Sequence, residues 1–278
     1  PVDNDLPPPD NCPGFGSVAK YIAVSTLEAT FDVASMAKTS TKVFVLEVMG
    51  RHAGWIAAAG AMASTKEMDL PILILFPEIA FDKAKFLARV DGMVKKYGYC
   101  TVVVSEGVKG ADGKFLSDQG LRDAFGHAQL GGVAPVIASI VKEGLNLKYH
   151  WGVADYLQRA ARHIASKTDV AQAYATGKAA VELAIKGRNS VMPAIKRVSD
   201  KPYKWKIEVA ELKNVANKEK FMPRDFITAD GFGITEKCRK YLAPLMLGED
   251  YPPYKNGLPR YVRLKNVGVK KKLGEFKV

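Results

Sequence analysis

Cysteine is scarce in this chain. Its 278 residues contain three, Cys12, Cys100 and Cys238, odd in number and far apart, with no Cys-x-x-Cys. That excludes a disulfide framework and a zinc ribbon and fits a reducing compartment, the cytoplasm. The four histidines are scattered and none stands in a His-x-x-x-His or His-Glu-x-x-His frame, so a zinc site of that kind is excluded as well. No run of 18 apolar residues occurs, which removes a helical membrane span. There is no internal repeat, no low-complexity segment and no visible signal peptide. The chain starts Pro-Val-Asp rather than with methionine, which reads as processing or as a fragment.

What is present is the balance of a globular protein, 47% hydrophobic and 25% charged, long enough for one large domain or two ordinary ones. The formal net charge is +12 and unevenly placed: residues 196–278 hold 20 Lys/Arg against 10 Asp/Glu, leaving 21 against 19 for the rest. A basic region of that kind can bind nucleic acid, but no nucleic-acid motif accompanies it, so it reads as a solvated face that also attracts anionic small molecules.

Periodicity orders the first half. Residues 1–14 are loop, rich in proline, aspartate and asparagine. Helices are expected over 15–37, 53–63, 81–97 and 133–144, and strands over 41–48, 70–76 and 99–107. Strands apolar throughout and separated by helices predict an α/β fold of doubly wound type, its largely parallel sheet covered on both faces. Such sheets place ligands at the carboxyl ends of their strands. Three strand ends carry charge: Met49-Gly50-Arg51, Pro77-Glu78 and Ser105-Glu106-Gly107. Beyond residue 150 a helix is expected from Asp169, as N-cap, to Lys186, closed by Gly187. Val191 and Ile195 hint at one further strand, and a last helix is expected over 236–247.

Several residues can carry chemistry. Asp3 and Asp5 lie two apart on a loop, where one carboxylate can take a proton and the other hold a metal on a phosphate; the alternative is an Asx-rich turn. In Met-Gly-Arg-His-Ala-Gly (49–54) the glycines admit a ligand and Arg51 offers a fork for phosphate or carboxylate; alternatively Arg51 pairs with Glu47, which sits inside an apolar strand and needs a partner. Glu106 suits sugar hydroxyls, or a helix N-cap or salt bridge. Arg159, Arg162, His163 and Lys167 surround Tyr156 and could meet a sugar phosphate, or be a solvated helix start. His127 reads as a structural histidine, Trp55 and Trp151 as packing residues, and Lys270 to Lys272 as a solvated terminus.

The order of these pieces is more specific than any one of them. VDNDLP, NCPGFGSVAKYIA, VFVLEVMGRHAGWIAAAG, LFPEI, VVVSEGV and DYLQRAAR follow one another as in the phosphofructokinase family, and the DNDLP wording resembles its pyrophosphate-dependent branch. The resemblance covers residues 1 to about 195 with specific motifs and continues more weakly to the C-terminal segment. It implies transfer of a phosphoryl group from pyrophosphate to the 1-hydroxyl of fructose 6-phosphate, reversibly, in cytoplasmic glycolysis, with Mg²⁺. Asp3 would be the base and Asp5 would lie near the metal. Met49, Gly50 and Arg51 would line the sugar-phosphate site, Arg51 facing the reacting end. Glu106 would bind sugar hydroxyls, and Tyr156 and Arg159 the 6-phosphate. Lys42 would reach a phosphate, often in a neighbouring subunit's site. A homo-oligomer, dimer or tetramer, is implied for the full-length protein, with no membrane or nucleic-acid partner.

The family carries Pro-Lys-Thr and a Gly-rich donor segment before its Asp-Asn-Asp, where this sequence has only Pro1 and Val2. A fragment is therefore expected. Residues 1–13 would be the edge of a donor-binding domain with the catalytic loop, 14–150 a sugar-phosphate-binding α/β domain, and 151–278 a return to the incomplete first domain with a C-terminal extension. The helix from Asp169 should then show an uncovered apolar face of Val170, Tyr174, Val181 and Leu183. Three alternatives stand at this point: an ATP-dependent enzyme, a non-catalytic sugar-phosphate-binding relative, and an anion- or nucleic-acid-binding module.

Overall fold

A computed structural model describes residues 2–117, 132–270, 272 and 274. His127 and Lys271, among the residues considered above, lie outside these. The first element is α1 (Phe15–Met36), followed by β1 (Val43–Val48), α2 (Trp55–Gly60), β2 (Ile72–Leu75), α3 (Lys83–Tyr97), β3 (Cys100–Ser105), α4 (Val133–Leu145) and β4 (Tyr149–Val153). The four strands form one parallel sheet in the order β2-β3-β1-β4.

Alternation along each strand feeds two cores. Leu46, Val48, Ile74 and Val103 pack with α1 and α2, while Val43, Val45, Leu73, Leu75, Val102 and Val104 pack with α3 and α4. Both faces of the sheet are therefore covered, which is why β1, β2 and β3 are apolar at nearly every position. β1 leads to α2 on one face and the chain from β3 reaches α4 on the other. The carboxyl ends of β1 and β3, paired Val48 to Ser105, are thus the point where the winding changes direction and a crevice opens.

β4 is a strand that periodicity does not reveal. It is the sheet's edge, half-exposed along its length, so its sequence shows no apolar run. Trp151, expected to pack, stands 47% exposed there, whereas Trp55 is buried in the α1–α2 core.

The second half begins with α5 (Leu157–Ala160) and α6 (Lys167–Ile185). The N-cap of α6 is Ser166, whose side chain accepts from the Asp169 amide, and not Asp169 as expected. Asp169 reaches across to another helix: its carboxylate accepts from the amides of Gly14 (2.8 Å) and Ser17 (3.0 Å) at the start of α1. Those are donors that a helix start leaves unpaired. The α6 face expected to be uncovered is so at Tyr174 (76% exposed) and Val181 (60%), and Ile185 (80%) extends it; Val170 and Leu183 are half-buried.

A hairpin follows in place of the single strand expected: β5 (Val191–Asp200) and β6 (Tyr203–Glu211), antiparallel. The last helix, α7 (Glu236–Leu242), is capped by Thr235 and ends sooner than expected, tightening into a 3-10 turn over Ala243–Met246. Phe226, Ile234, Cys238, Leu242 and Leu245 bury into the same core as α1 and α2. A short pair, β7 (Tyr254–Lys255) and β8 (Leu258–Pro259), precedes an exposed C-terminal segment. No helix among the described residues is long and apolar enough to cross a membrane.

Candidate active site

Because the strands are parallel, their carboxyl ends lie on one edge of the sheet, and the charged residues placed there by the sequence meet. Glu106 follows β3 directly. Its Oε1 accepts from the Gly50 amide at 3.3 Å, and its own amide donates to the Val48 carbonyl at 2.9 Å. The Ser105 hydroxyl donates to the Gly50 carbonyl. These bonds lock the end of β3 to the loop after β1. The approach is so close that a Cβ on Gly107 would sit 1.9 Å from the Arg51 carbonyl oxygen, and Gly50 has φ +133°. Both positions need glycine on steric grounds.

Arg51 is half-buried and its Nε, fully buried, has no hydrogen-bond partner among the described residues. It does not pair with Glu47. That carboxylate turns the other way and accepts from the amides of Gly132 (3.2 Å) and Ala134 (2.8 Å), capping α4. Helix-start amides stabilise a buried carboxylate that has no cation. Pro77-Glu78, at the end of β2, is likewise occupied with structure. Glu78 accepts from the Gly54 amide at 3.0 Å and the Met222 amide at 3.0 Å, fixing the start of α2 immediately after Arg51.

The next strand end supplies Tyr156 and Arg159. Tyr156 is 65% exposed, and the Arg159 guanidinium lies over its ring, 5.0 Å from the centroid. Buried Gln158 between them accepts from the Met49 amide at 3.3 Å, tying this turn to the β1 loop. Arg162, grouped with these by sequence, instead binds Asp250 at 2.6 Å.

Asp3 and Asp5 flank a fully buried Asn4 held at φ +59°. Asp3 belongs to the same electrostatic neighbourhood. Burial, and then the charge of Asp5, push its carboxyl above the usual range, while Arg159 pulls it back. Burial also raises Glu106, opposed by the Gly50 amide and Arg51 and assisted by Asp3. No lysine or arginine among the described residues forms an ion pair with Asp3 or Asp5.

Lys42 is not brought to this edge. It precedes β1 and donates to the Ala37 carbonyl, at the opposite end of a strand roughly 20 Å long. The three cysteines are buried, and burial pushes the thiols of Cys100 and Cys238 up to about 12, so neither supplies a thiolate.

Two contributors escaped the sequence. Lys220 places its ammonium among the oxygens of Asn4 (3.1 Å), Pro9 (3.2 Å) and Asp10 (2.9 Å). Tyr241 accepts from Asn4 Nδ2 at 3.0 Å. Both lie more than 200 residues from the loop they hold, and no local pattern marks them.

A family described as phosphofructokinase matches residues 1–184. A protein of Halomonas elongata named pyrophosphate–fructose 6-phosphate 1-phosphotransferase is 68% identical over 277 residues, which is 100% of this chain and 66% of that protein. A protein of the same name from Methylococcus capsulatus is 68% identical over 272 residues, 98% of this chain and 65% of its own length. The crystal structure of a pyrophosphate-dependent phosphofructokinase from Nitrosospira multiformis superposes with a TM-score of 0.90 at 71% identity, covering 100% of this chain and 66% of that one. The chain thus spans about two thirds of the length of these relatives.

Proposed function

The chain belongs to the phosphofructokinase family, and from that premise we propose that it transfers a phosphoryl group from pyrophosphate to the 1-hydroxyl of fructose 6-phosphate. The observation that carries this is the gathering of Asp3, Arg51, Glu106 and Arg159 along one sheet edge, in a chain 68% identical to a protein named for that reaction. The setting is cytoplasmic glycolysis.

Asp3 takes the proton of the attacking hydroxyl. Burial and the neighbouring charge of Asp5 raise its pKa, which makes it a stronger base than an ordinary aspartate. Arg51 directs its guanidinium to the charge that builds on the phosphoryl oxygens, where positioning and electrostatics supply most of the rate. Glu106 accepts hydrogen bonds from sugar hydroxyls, and the loop of Met49 and Gly50 walls the crevice. Arg159, stacked on Tyr156, meets the 6-phosphate at the rim.

Magnesium fits these residues. Asp3 and Asp5 lie close enough for the charge of Asp5 to raise the Asp3 carboxyl, and such a carboxylate pair suits a cation held by one or two carboxylates and by phosphate oxygens. Asp5 would hold it, and the bound ion would neutralise phosphoryl charge. Lys42 takes no part in this chain's own site. A role for it belongs in a second copy's site, within a dimer or tetramer. Residues 1–13 and 151–278 represent the donor-side domain in this reading, and 14–150 the sugar-phosphate domain.

The test is to incubate the purified full-length protein with fructose 6-phosphate and Mg²⁺, adding pyrophosphate or ATP, and to follow fructose 1,6-bisphosphate by ³¹P NMR. Product with pyrophosphate alone is expected. Product with ATP alone moves the donor assignment. Fructose 6-phosphate binding by calorimetry without product from either donor overturns the transfer reading.

A further inference from the structure

The Lys220 ammonium has three bonds, all to neutral oxygens of one loop: Asn4 Oδ1 and the carbonyls of Pro9 and Asp10. No carboxylate among the described residues lies within ion-pair distance of it. A largely buried cation among neutral acceptors is costly, and burial correspondingly lowers its proton affinity. What an ammonium offers in return is three donors radiating from one point. Here they bind both flanks of the Asp5 position, Asn4 on one side and Pro9 with Asp10 on the other.

The backbone of the same residue extends the network in two directions. Its N–H donates to the Asp5 carbonyl at 2.6 Å, and its carbonyl accepts from Trp55 Nε1 at 2.9 Å. Trp55 opens α2, four residues after Arg51. One residue earlier, Glu219 meets His52 Nδ1 at 3.3 Å. Two residues later, the Met222 amide shares Glu78 with Gly54. Residues 219–222 therefore touch the loop of Asp3 and Asp5 on one side and the loop of Arg51 on the other.

We propose that Lys220 is a positioning residue that fixes the Asp3–Asp5 loop at a set distance from the Arg51 loop, so that base and guanidinium face the same reacting phosphoryl group. This rests on the reading given under Proposed function. It assigns Lys220 to the aim of the reacting groups and not to sugar-phosphate affinity, because none of its bonds goes to Met49, Glu106, Tyr156 or Arg159.

The experiment is Lys220→Met, which keeps the length of the side chain and removes its donors. With the full chain, kcat is expected to fall by roughly tenfold to a hundredfold, the effect of a small misplacement of reacting groups. KM for fructose 6-phosphate and the stoichiometry of its binding by calorimetry should stay within about twofold of the parent chain. A kcat within about twofold of the parent, or a loss of binding sites in proportion to the loss of kcat, overturns the proposal. Should the parent chain itself turn over neither donor, that failure belongs to the transfer reading, and hydrogen exchange decides here. Amides from Asn4 to Cys12 should exchange faster in Lys220→Met while those of β1 and β3 do not; unchanged loop exchange overturns it. Should Lys220→Met not fold, Lys220→Arg keeps the charge but cannot set three bonds around one nitrogen. It is expected to lower kcat at unchanged KM, and parental kcat in that variant is the overturning result.

Discussion

Replacing Glu78 with alanine should cost about 3 kcal/mol of stability and loosen the start of α2. The Glu78 carboxylate accepts from two backbone amides, Gly54 at 3.0 Å and Met222 at 3.0 Å. A hydrogen bond to a charged group contributes about 1.5–3 kcal/mol net. Burial raises the Glu78 carboxyl above its ordinary value of 4.5, with the two amides opposing, so desolvation takes back part of the gain and the lower end of that range applies to each bond. For a chain of this size, about 3 kcal/mol corresponds to a fall in Tm of roughly 5 °C. Glu78→Gln, which keeps one acceptor oxygen, should fall between the parent chain and the alanine variant. The sign of the pH dependence follows from the raised pKa. Between about pH 4.5 and the folded value, the folded chain holds the proton more tightly than the unfolded chain does. The stability Glu78 contributes is then greatest below that window and declines as pH rises through it. The difference between parent and Glu78→Gln, measured by calorimetry at a series of pH values, should narrow in the same direction. A Tm loss under about 2 °C for Glu78→Ala, or a difference that widens as pH rises, would refute the reasoning.

Three further outcomes are expected. Arg51→Met should lower kcat by about 10²–10³ through the loss of a donor to developing charge, with Tm little changed; near-parental turnover removes Arg51 from the reaction. Gly107→Ala, whose Cβ would sit 1.9 Å from the Arg51 carbonyl, must displace the β1 loop, and turnover should fall by about a hundredfold or more; parental activity would contradict the packing described for this edge. The acid limb of kcat/KM, which reports ionisation of Asp3, should lie above the ordinary aspartate value of 3.8, and Arg159→Met should move it to higher pH by removing a charge that lowers it; a limb that stays in place or moves to lower pH speaks against Asp3 as the base.

How much of this was legible in the sequence differs by element. Strands β1, β2 and β3 and the helices α1, α3 and α4 announce themselves through apolar runs and 3.6-residue periods, because burial on both faces of a parallel sheet leaves little room for polar residues. β4 and β6 do not, and β5 shows only through Val191 and Ile195, since their side chains are partly exposed and charged and polar residues are mixed through them. Arg51 and Glu106 were legible as candidates because an apolar strand ending in Gly-Arg or Glu-Gly departs from its own pattern. The partners of Glu47, Glu78 and Asp169 were not. Their bonds span 85 to 87, 24 and 144, and 152 to 155 residues respectively, and each is to a backbone amide, a group every residue carries.

By itself the sequence determined the sheet's central strands, their covered faces and the residue types at their carboxyl ends, since these follow from local hydrophobic pattern and from glycine placed where a side chain cannot fit. Tertiary structure alone decided which carboxylates are tied to helix starts and which stand beside the arginines. It turned Glu47, Glu78 and Asp169 onto helix starts, brought Asp3 and Glu106 within reach of each other's charge and of Arg159 and Arg51 respectively, and set Lys220 against the loop of Asp3. The physical reason is that a carboxylate's role depends on the donors within about 3 Å of it, and only the folded chain brings those donors there.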